Sequence, residues 1–256
     1  MGESVARVGA WLRAARHITA LTGAGISTDS GIPDFRGPRG VWTRDPDAEK
    51  LVTLDAYLTD PAVRRRAWRS RRDHPAWDAK PNGAHKALVD LEHADKLIAT
   101  VTQNIDGLHQ KAGAAPDRVV ELHGTMFDVD CLSCGDRTTM RAALDRVDAG
   151  EPDPPCLRCG GILKSATISF GQALDPAVLR DATAAVAAAD LLLVVGSSLV
   201  VHPAAGLVGY ANRAGARVII VNAEPTPYDD IAAACLSDPI GTVVPTLVST
   251  ALTNSR

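Results

Sequence analysis

Asp190-Leu-Leu-Leu-Val-Val-Gly196 and Arg217-Val-Ile-Ile-Val-Asn222 decide the fold of this 256-residue chain. Both are short apolar runs with no polar alternation, which is how strands buried on both faces of a parallel sheet read. A helix starting near Pro203 lies between them. Residues 190–222 therefore form a β-α-β unit of about the usual 30 residues.

The same alternation recurs at the N-terminal end. Val5, Val8, Trp11, Leu12 and Ala15 share one face at helical spacing, predicting a helix over 4–15. Ile18 to Leu21 reads as a strand that breaks into Gly23-Ala24-Gly25. The polar stretch from Gly31 to Pro46, punctuated by Pro and Gly, predicts no regular structure. Residues 53–73 read as helical, with Asp60-Pro61 giving an N-cap and a first-turn proline. Further helices are expected over 85–92 and in the alanine-rich stretch 182–189. Leu97 to Val101 is a strand ending in Thr102-Gln103-Asn104. Strand–helix alternation at both ends predicts an α/β fold: a Rossmann-like parallel sheet with helices on both faces. Residues 1–37, 85–125 and 166–256 would build it. A helical insertion (38–84) and a cysteine-bearing module (126–165) depart from the pattern and would form a smaller lobe. The cleft between lobes is the expected place for ligands.

Apolar residues make up 46% of the chain and charged residues 22%, with a net charge of -3. That balance argues against a protein that coats nucleic acid. With 4% aromatic residues there is little to build a base-stacking face. Residues 1–16 carry Glu3, Arg7, Arg13 and Arg16, so they lack a secretory h-region. The run Leu191 to Val195 is far short of the ~20 residues that cross a bilayer. Ala6 argues against myristoylation. The expectation is a cytoplasmic monomer with no membrane or nucleic-acid partner.

Four of the five cysteines form two C-x-x-C pairs, Cys131/Cys134 and Cys156/Cys159, separated by the 21 residues 135–155. Without an export signal, such pairs read as metal or redox sites rather than disulfides. Gly135 and Gly160 follow each pair and permit a knuckle turn around a metal. Four thiolates close a tetrahedral shell around one structural Zn2+, so a zinc ribbon is predicted. Cys235, among alanines, is expected to be a small buried helix residue.

Gly23-Ala-Gly25 directly after a strand suits a backbone approaching a phosphate. Yet Thr28 replaces the third glycine of G-x-G-x-x-G, and no acid closes a second strand ~20 residues on. A purely structural turn explains the motif almost as well. The C-terminal unit adds Gly196-Ser197-Ser198 after one strand and Asn222 with Glu224 after the next, residue types that suit phosphate and ribose oxygens.

Taken together, several blocks resemble the sirtuins, of bacterial type, in their order. They are Gly23-Ala-Gly-Ile-Ser27, Gly31-Ile-Pro-Asp-Phe-Arg36, Thr102-Gln-Asn-Ile-Asp-Gly-Leu-His109, His123-Gly124, the cysteine pairs, Phe170-Gly171, Gly196-Ser-Ser-Leu199 and Val221-Asn222-x-Glu224. The likeness spans roughly residues 15–248. It implies NAD as co-substrate, acylated-lysine proteins or peptides as partners, and removal of the acyl group to give lysine, nicotinamide and 2′-O-acyl-ADP-ribose. Ala24, Ile32, Asn104, Ile105 and Asp106 would surround nicotinamide and its ribose, and Gln103 would bond ribose hydroxyls. Asp34, Phe35 and Arg36 would belong to a cofactor loop whose aromatic ring shields the reacting carbon from water. Gly23, Gly25, Ser27, Gly196, Ser197, Ser198, Asn222 and Glu224 would hold phosphates and the adenosine ribose, with Ile240 near adenine.

The same resemblance makes His123 the general base, since imidazole titrates near neutrality, with Asn104 assisting. His85 reads instead as a helix cap, His109 as locally hydrogen-bonded, and His202 as a helix entry. Ile168, Phe170 and Gly171 would present main-chain groups to a substrate peptide. The strand block Ser165-Ala-Thr-Ile-Ser-Phe-Gly-Gln172 departs from the family by lacking a preceding proline and by ending in Gln172 instead of Glu.

Arg64, Arg65, Arg66, Arg69, Arg71 and Arg72 form a basic run. Relatives that prefer succinyl or malonyl groups carry Tyr-x-x-Arg here, where this chain has Trp68 and Arg71. Arg71 could grip a carboxylated acyl group, but a solvated helix face paired to Asp60, Asp73 or Asp78 is the favoured reading. Mono-ADP-ribosyl transfer and a non-catalytic zinc-ribbon module are the competing functions. The intact His123 and the Gln103–Asp106 block argue for deacylation.

Overall fold

The structure is a computed structural model describing residues 2–253. In chain order the elements begin with α1 (Gly2–Ala14), β1 (Ile18–Thr22), α2 (Val41–Arg44), α3 (Leu54–Thr59), α4 (Pro61–Arg72) and α5 (Gly83–His93). Next come β2 (Leu97–Thr102), α6 (Leu108–Ala112), β3 (Val119–Glu121), β4 (Gly124–Cys131), β5 (Arg137–Thr139), α7 (Met140–Asp148) and β6 (Leu163–Thr167). The chain closes with α8 (Pro176–Ala187), β7 (Leu191–Val195), α9 (Gly206–Arg213), β8 (Arg217–Val221), β9 (Ala234–Leu236) and α10 (Ile240–Leu252).

These elements divide into two compact units. One comprises the chain up to Pro33, Ala79–Leu122, and everything from Asp175; the other comprises Asp34–Asp78 and His123–Leu174.

In the first unit a six-stranded parallel sheet runs in the order β3-β2-β1-β7-β8-β9. Ile18, Ala20, Leu191, Leu193, Val195, Ile219 and Val221 face a layer formed by α1, α5 and α10. Each fully buried aliphatic side chain there contributes roughly 1.5–3 kcal/mol. Thr19 belongs to the opposite face, where its hydroxyl donates to Ala185 O of α8 at 2.8 Å. Burial on both faces explains the unbroken apolar runs. Strand order reverses between β1 and β7, the switch point where open α/β sheets bind ligands. Thr22 is level with Thr102 and Val195, so β1, β2 and β7 end together.

The second unit holds a three-stranded antiparallel sheet in the order β5-β4-β6. Its core joins Trp68 of α4 to Val129, Met140, Ala143, Leu144 and Leu163, and includes Cys131 and Cys156. Tyr57 of α3 is buried and donates its hydroxyl to Leu163 O at 2.7 Å.

Several expectations need correcting. Residues 53–73 form two helices, because the residue before proline resists the α conformation. Asp60 is extended (φ -115°, ψ 108°) and accepts from Ala62 N at 2.7 Å, capping α4. The polar stretch 31–46 contains the short helix α2. The alanine-rich helix begins earlier, at Pro176, with Asp175 accepting from Ala177 N at 2.7 Å. Cys235 is neither buried nor helical. It is exposed on β9, where pairing of Ala234–Leu236 with Ile219–Val221 overrides the helix propensity of its alanines.

Candidate functional site

In the first unit, chemistry-bearing residues collect where β1, β2 and β7 end. Gly25 N donates to Gly196 O at 2.9 Å, joining the turn after β1 to the turn after β7. A Cβ on Gly25 would lie 2.7 Å from Gly196 Cα, and one on Gly196 (φ +65°) would lie 2.4 Å from Ile26 N. These glycines thus allow two loops to meet, a demand that the motif's phosphate reading did not anticipate. Beyond Gly196, the main-chain N–H groups of Ser197 and Ser198 have no partner among the described residues. Successive free N–H groups of this kind form an anion-binding concavity.

Below the loops lies a buried polar network. Asn104 Nδ2 donates to Gly23 O at 3.1 Å and to Ser27 Oγ at 3.2 Å. Ser27 Oγ donates to Asp106 Oδ2 at 2.7 Å, and Leu108 N donates to Asp106 Oδ1 at 3.0 Å. Ser27, Ile32, Asn104 and Asp106 are all buried, while Ala24 and Ile105 are half-buried. Gln103 Nε2 donates to Ser197 Oγ at 2.9 Å. The structure thus brings Gly23, Ala24, Gly25, Ser27, Gln103, Asn104, Asp106, Gly196 and Ser197 together. Beyond β8, Asn222 is half-buried and Glu224 exposed, with Asn222 Nδ2 donating to Glu224 O at 2.7 Å. Ile240 opens α10 and packs against the first unit's core.

The network extends to residues that sequence reasoning gave no part in the site. Thr22 Oγ1 donates to Thr102 Oγ1 at 2.8 Å and meets His109 Nε2 at 2.9 Å. Since the Thr22 hydroxyl proton goes to Thr102, His109 Nε2 carries the ring proton. His85 closes a capping box with Asn82, whose Oδ1 accepts from Ala84 N at 2.9 Å, as the cap reading expected. The available signal was the polar residue closing each apolar strand, Thr22 and Thr102.

Burial drives the His109 pKa down to about 3, assisted by the neighbouring His85 ring, 5.0 Å away between centroids. Burial lowers His85 too, against the pull of Asp106. An unfolded histidine titrates near 6.5. Between that pH and the folded value the unfolded chain binds the extra proton, so stability is complete above about 6.5 and declines as pH falls. At pH 5 the loss from His109 is about 2 kcal/mol. Thermal melts at pH 7.5 and pH 5 should show it, and His109→Gln should flatten the difference. An unchanged pH slope in that variant would refute the assignment.

In the second unit Cys131, Cys134, Cys156 and Cys159 place their sulfurs within 4.8 Å of one another. Cys131 and Cys159 sulfurs are 3.5 Å apart, and those of Cys134 and Cys156 are 3.8 Å apart. Sulfurs at the Zn–S length of 2.3 Å in a tetrahedron are about 3.8 Å apart, so the set fits one Zn2+ and no disulfide. Gly135 (φ +70°) and Gly160 (φ +73°) turn the chain back at each knuckle, as their position after the pairs predicted. Arg158 N and Gly161 N each donate to a cysteine sulfur at 3.4 Å, fixing the ligands' orientation.

The second unit also holds His123, whose carbonyl accepts from Ile168 N at 2.9 Å. Phe170 N–H donates to Val52 O at 2.7 Å and Phe170 O accepts from Leu54 N at 2.9 Å. The Phe170 main chain is therefore already paired within the unit. Gly171 alone keeps both its N–H and its C=O without partners among the described residues. Asp34 Oδ1 accepts from Gly37 N at 2.9 Å and so turns the loop that carries the next two residues. The Phe35 ring packs tilted against Trp42, 4.8 Å between centroids, and the Arg36 guanidinium lies 4.5 Å over the same indole.

The basic run divides by direction. Arg64 pairs with Asp153 at 2.7 Å, Arg66 with Asp45 at 2.7 Å, and Arg72 with Asp73 at 2.9 Å. Arg71 turns inward and donates to Thr167 Oγ1 at 3.3 Å, with no carboxylate partner among the described residues. Burial lowers its pKa, and burial with the nearby Arg71 charge pushes Lys164 down to about 8.

A Rossmann-type unit with nucleotide-accepting loops, together with a unit carrying a closed four-thiolate metal centre, defines an α/β dinucleotide-dependent class with a structural zinc. Comparison with known proteins narrows the class. The model of the Sir2 family matches residues 23–203, and the chain belongs to that family. An NAD-dependent protein deacetylase 2 of Streptomyces coelicolor is 54% identical over 90% of this chain and 96% of its own length. An NAD-dependent protein deacylase 2 of Pyrobaculum aerophilum is 40% identical over 93% of this chain and 92% of its own. Among solved structures, one concerning the mechanism and regulation of Sir2 enzymes superposes with a TM-score of 0.88 at 38% identity, covering 98% of each chain. A Sir2 protein bound to a propionylated peptide superposes with a TM-score of 0.82 at 34% identity, covering 91% of this chain and 92% of its own.

Proposed function

We propose that this chain is an NAD-dependent protein-lysine deacylase that removes acetyl groups and yields lysine, nicotinamide and 2′-O-acyl-ADP-ribose. The observation that carries the reading is the buried Asn104–Ser27–Asp106 cluster at the level ends of β1 and β2. It presents amide and carboxylate groups of the kind that hold a carboxamide and a ribose.

When bound, NAD supplies a sugar carbon that nicotinamide leaves and a hydroxyl that receives the acyl group. Ala24, Ile32, Asn104, Ile105 and Asp106 surround the nicotinamide end. Gln103 bonds the ribose, while Gly23, Gly25, Ser27, Gly196, Ser197 and Ser198 take the phosphates. Asn222 and Glu224 take the adenosine ribose, with Ile240 beside adenine. Asp34 shapes the cofactor loop on which Phe35 excludes water and Arg36 packs over Trp42. His123 accepts the hydroxyl proton, assisted by Asn104. Gly171 offers its main-chain groups to the peptide, while Ile168 and Phe170, whose main-chain N–H groups are already paired, flank it. The Zn2+ shell has no open position, so the metal's part is structural. Among the described residues no helix is long and apolar enough to cross a membrane. The protein would act as a cytoplasmic monomer on protein substrates, and the net charge of -3 speaks against nucleic acid as a partner.

A carboxylated acyl group is the second reading, favoured by the inward Arg71. Against it, Trp68 occupies the tyrosine position and is sealed in the core at 1% exposure. The phenol coupled electrostatically to Arg71 is the buried Tyr57, whose hydroxyl is already given to Leu163 O. With NAD present, acetyl-lysine peptides should release nicotinamide and deacylated peptide in equal amounts, at least about tenfold faster than succinyl peptides. Nicotinamide release without deacylated lysine would instead indicate ADP-ribosyl transfer. Faster succinyl turnover would restore Arg71 as the acyl-group ligand.

A further inference from the structure

Thr53, Leu54, Asp55, Leu58, Phe170 and Gly171 line a hollow of about 300 Å³ in the second unit. It exists because residues 52–54 pair with Phe170 as a short strand bridge, which draws the start of α3 alongside the aromatic ring. Its walls are apolar and accessible, with Leu58 41% and Phe170 37% exposed. Asp55 is the one charged residue in the lining. Its carboxylate forms no ion pair or hydrogen bond among the described residues. At Gly171 the main-chain N–H and C=O are free, and no atom lies within 4 Å of where a Cβ would stand.

Those three properties describe one kind of occupant. Apolar walls suit a methylene stem, an unpaired carboxylate suits a cationic head, and free main-chain groups suit an extended peptide. An arginine satisfies all three, since its guanidinium can lie over the Phe170 ring and meet the Asp55 oxygens. We propose that this hollow is a specificity subsite that takes an arginine or lysine flanking the acylated lysine, with Asp55 as its determinant. The proposal rests on the deacylase reading and names a substrate class for it: acylated lysines within basic segments.

An acid in the first turn of a helix is also favoured by the helix dipole. That role would alter melting temperature without altering the choice of substrate. The full-length protein should therefore be assayed on acetyl-lysine peptides that differ by one Arg, Leu or Glu at each flanking position in turn. At one position Arg should exceed Leu in kcat/KM by about three- to tenfold, with Glu lowest. Asp55→Asn should flatten this ranking and Asp55→Lys should invert it. A flat ranking in the unaltered protein, or one that survives Asp55→Lys, would overturn the subsite while leaving deacylation standing. Absence of turnover on every peptide would remove the deacylase reading, and the subsite with it.

Discussion

Replacing Cys156 with serine, or stripping the metal with a chelator, will leave the second unit without a stable fold. Two of the buried members of its core, Cys131 and Cys156, are also metal ligands, so packing and coordination are the same structure there. The rest of that core is Trp68, Val129, Met140, Ala143, Leu144 and Leu163, a small set for two inserted segments. Structural zinc binds zinc-finger peptides with about 10–16 kcal/mol of apparent free energy, as much as a whole domain's usual stability of about 5–15 kcal/mol. Hydrogen exchange should show loss of protection across 124–167, with zinc content falling from one equivalent to none, while β1, β2 and β7 stay protected. A Cys156→Ser protein that keeps its zinc and its protection would contradict this account.

The second large effect concerns His123. His123→Ala should lower kcat by about 10²–10⁴, the usual worth of a positioned proton acceptor. Zinc content should hardly change, and the bond from Ile168 N survives, because it goes to the His123 carbonyl, which every residue type supplies. The pH dependence of kcat/KM should lose its acidic limb in the variant, which separates loss of a base from loss of packing. Retention of more than about a tenth of the wild-type kcat would remove His123 from the mechanism.

Much of the sheet was legible because burial on both faces leaves an unmistakable pattern: all of Leu191–Val195 and Ile18–Thr22 are buried. The zinc ligands were legible from spacing alone, since knuckle turns fix the distance between paired thiols. What the sequence concealed depended on distant partners. Nothing near Cys235 says that β8 offers it an edge to pair with. Nothing near Gly25 says that Gly196 will press against it, and Thr22, Thr102 and His109 become one network only when two strands are set level. The pairing of Phe170 with residues 52–54 brings together segments more than a hundred positions apart, so neither the hollow at Asp55 nor the engaged Phe170 backbone could be foreseen.

The strand that lies at the heart of the sheet, β1, is made first and finished late. One flank is closed by Leu97–Thr102, but the other must await Leu191–Val195. During synthesis, at about 5–20 residues per second, the nascent chain carries Ile18–Thr22 with a bare hydrogen-bonding edge for many seconds. This topology makes the half-built polypeptide, rather than the finished enzyme, the form most in need of a chaperone.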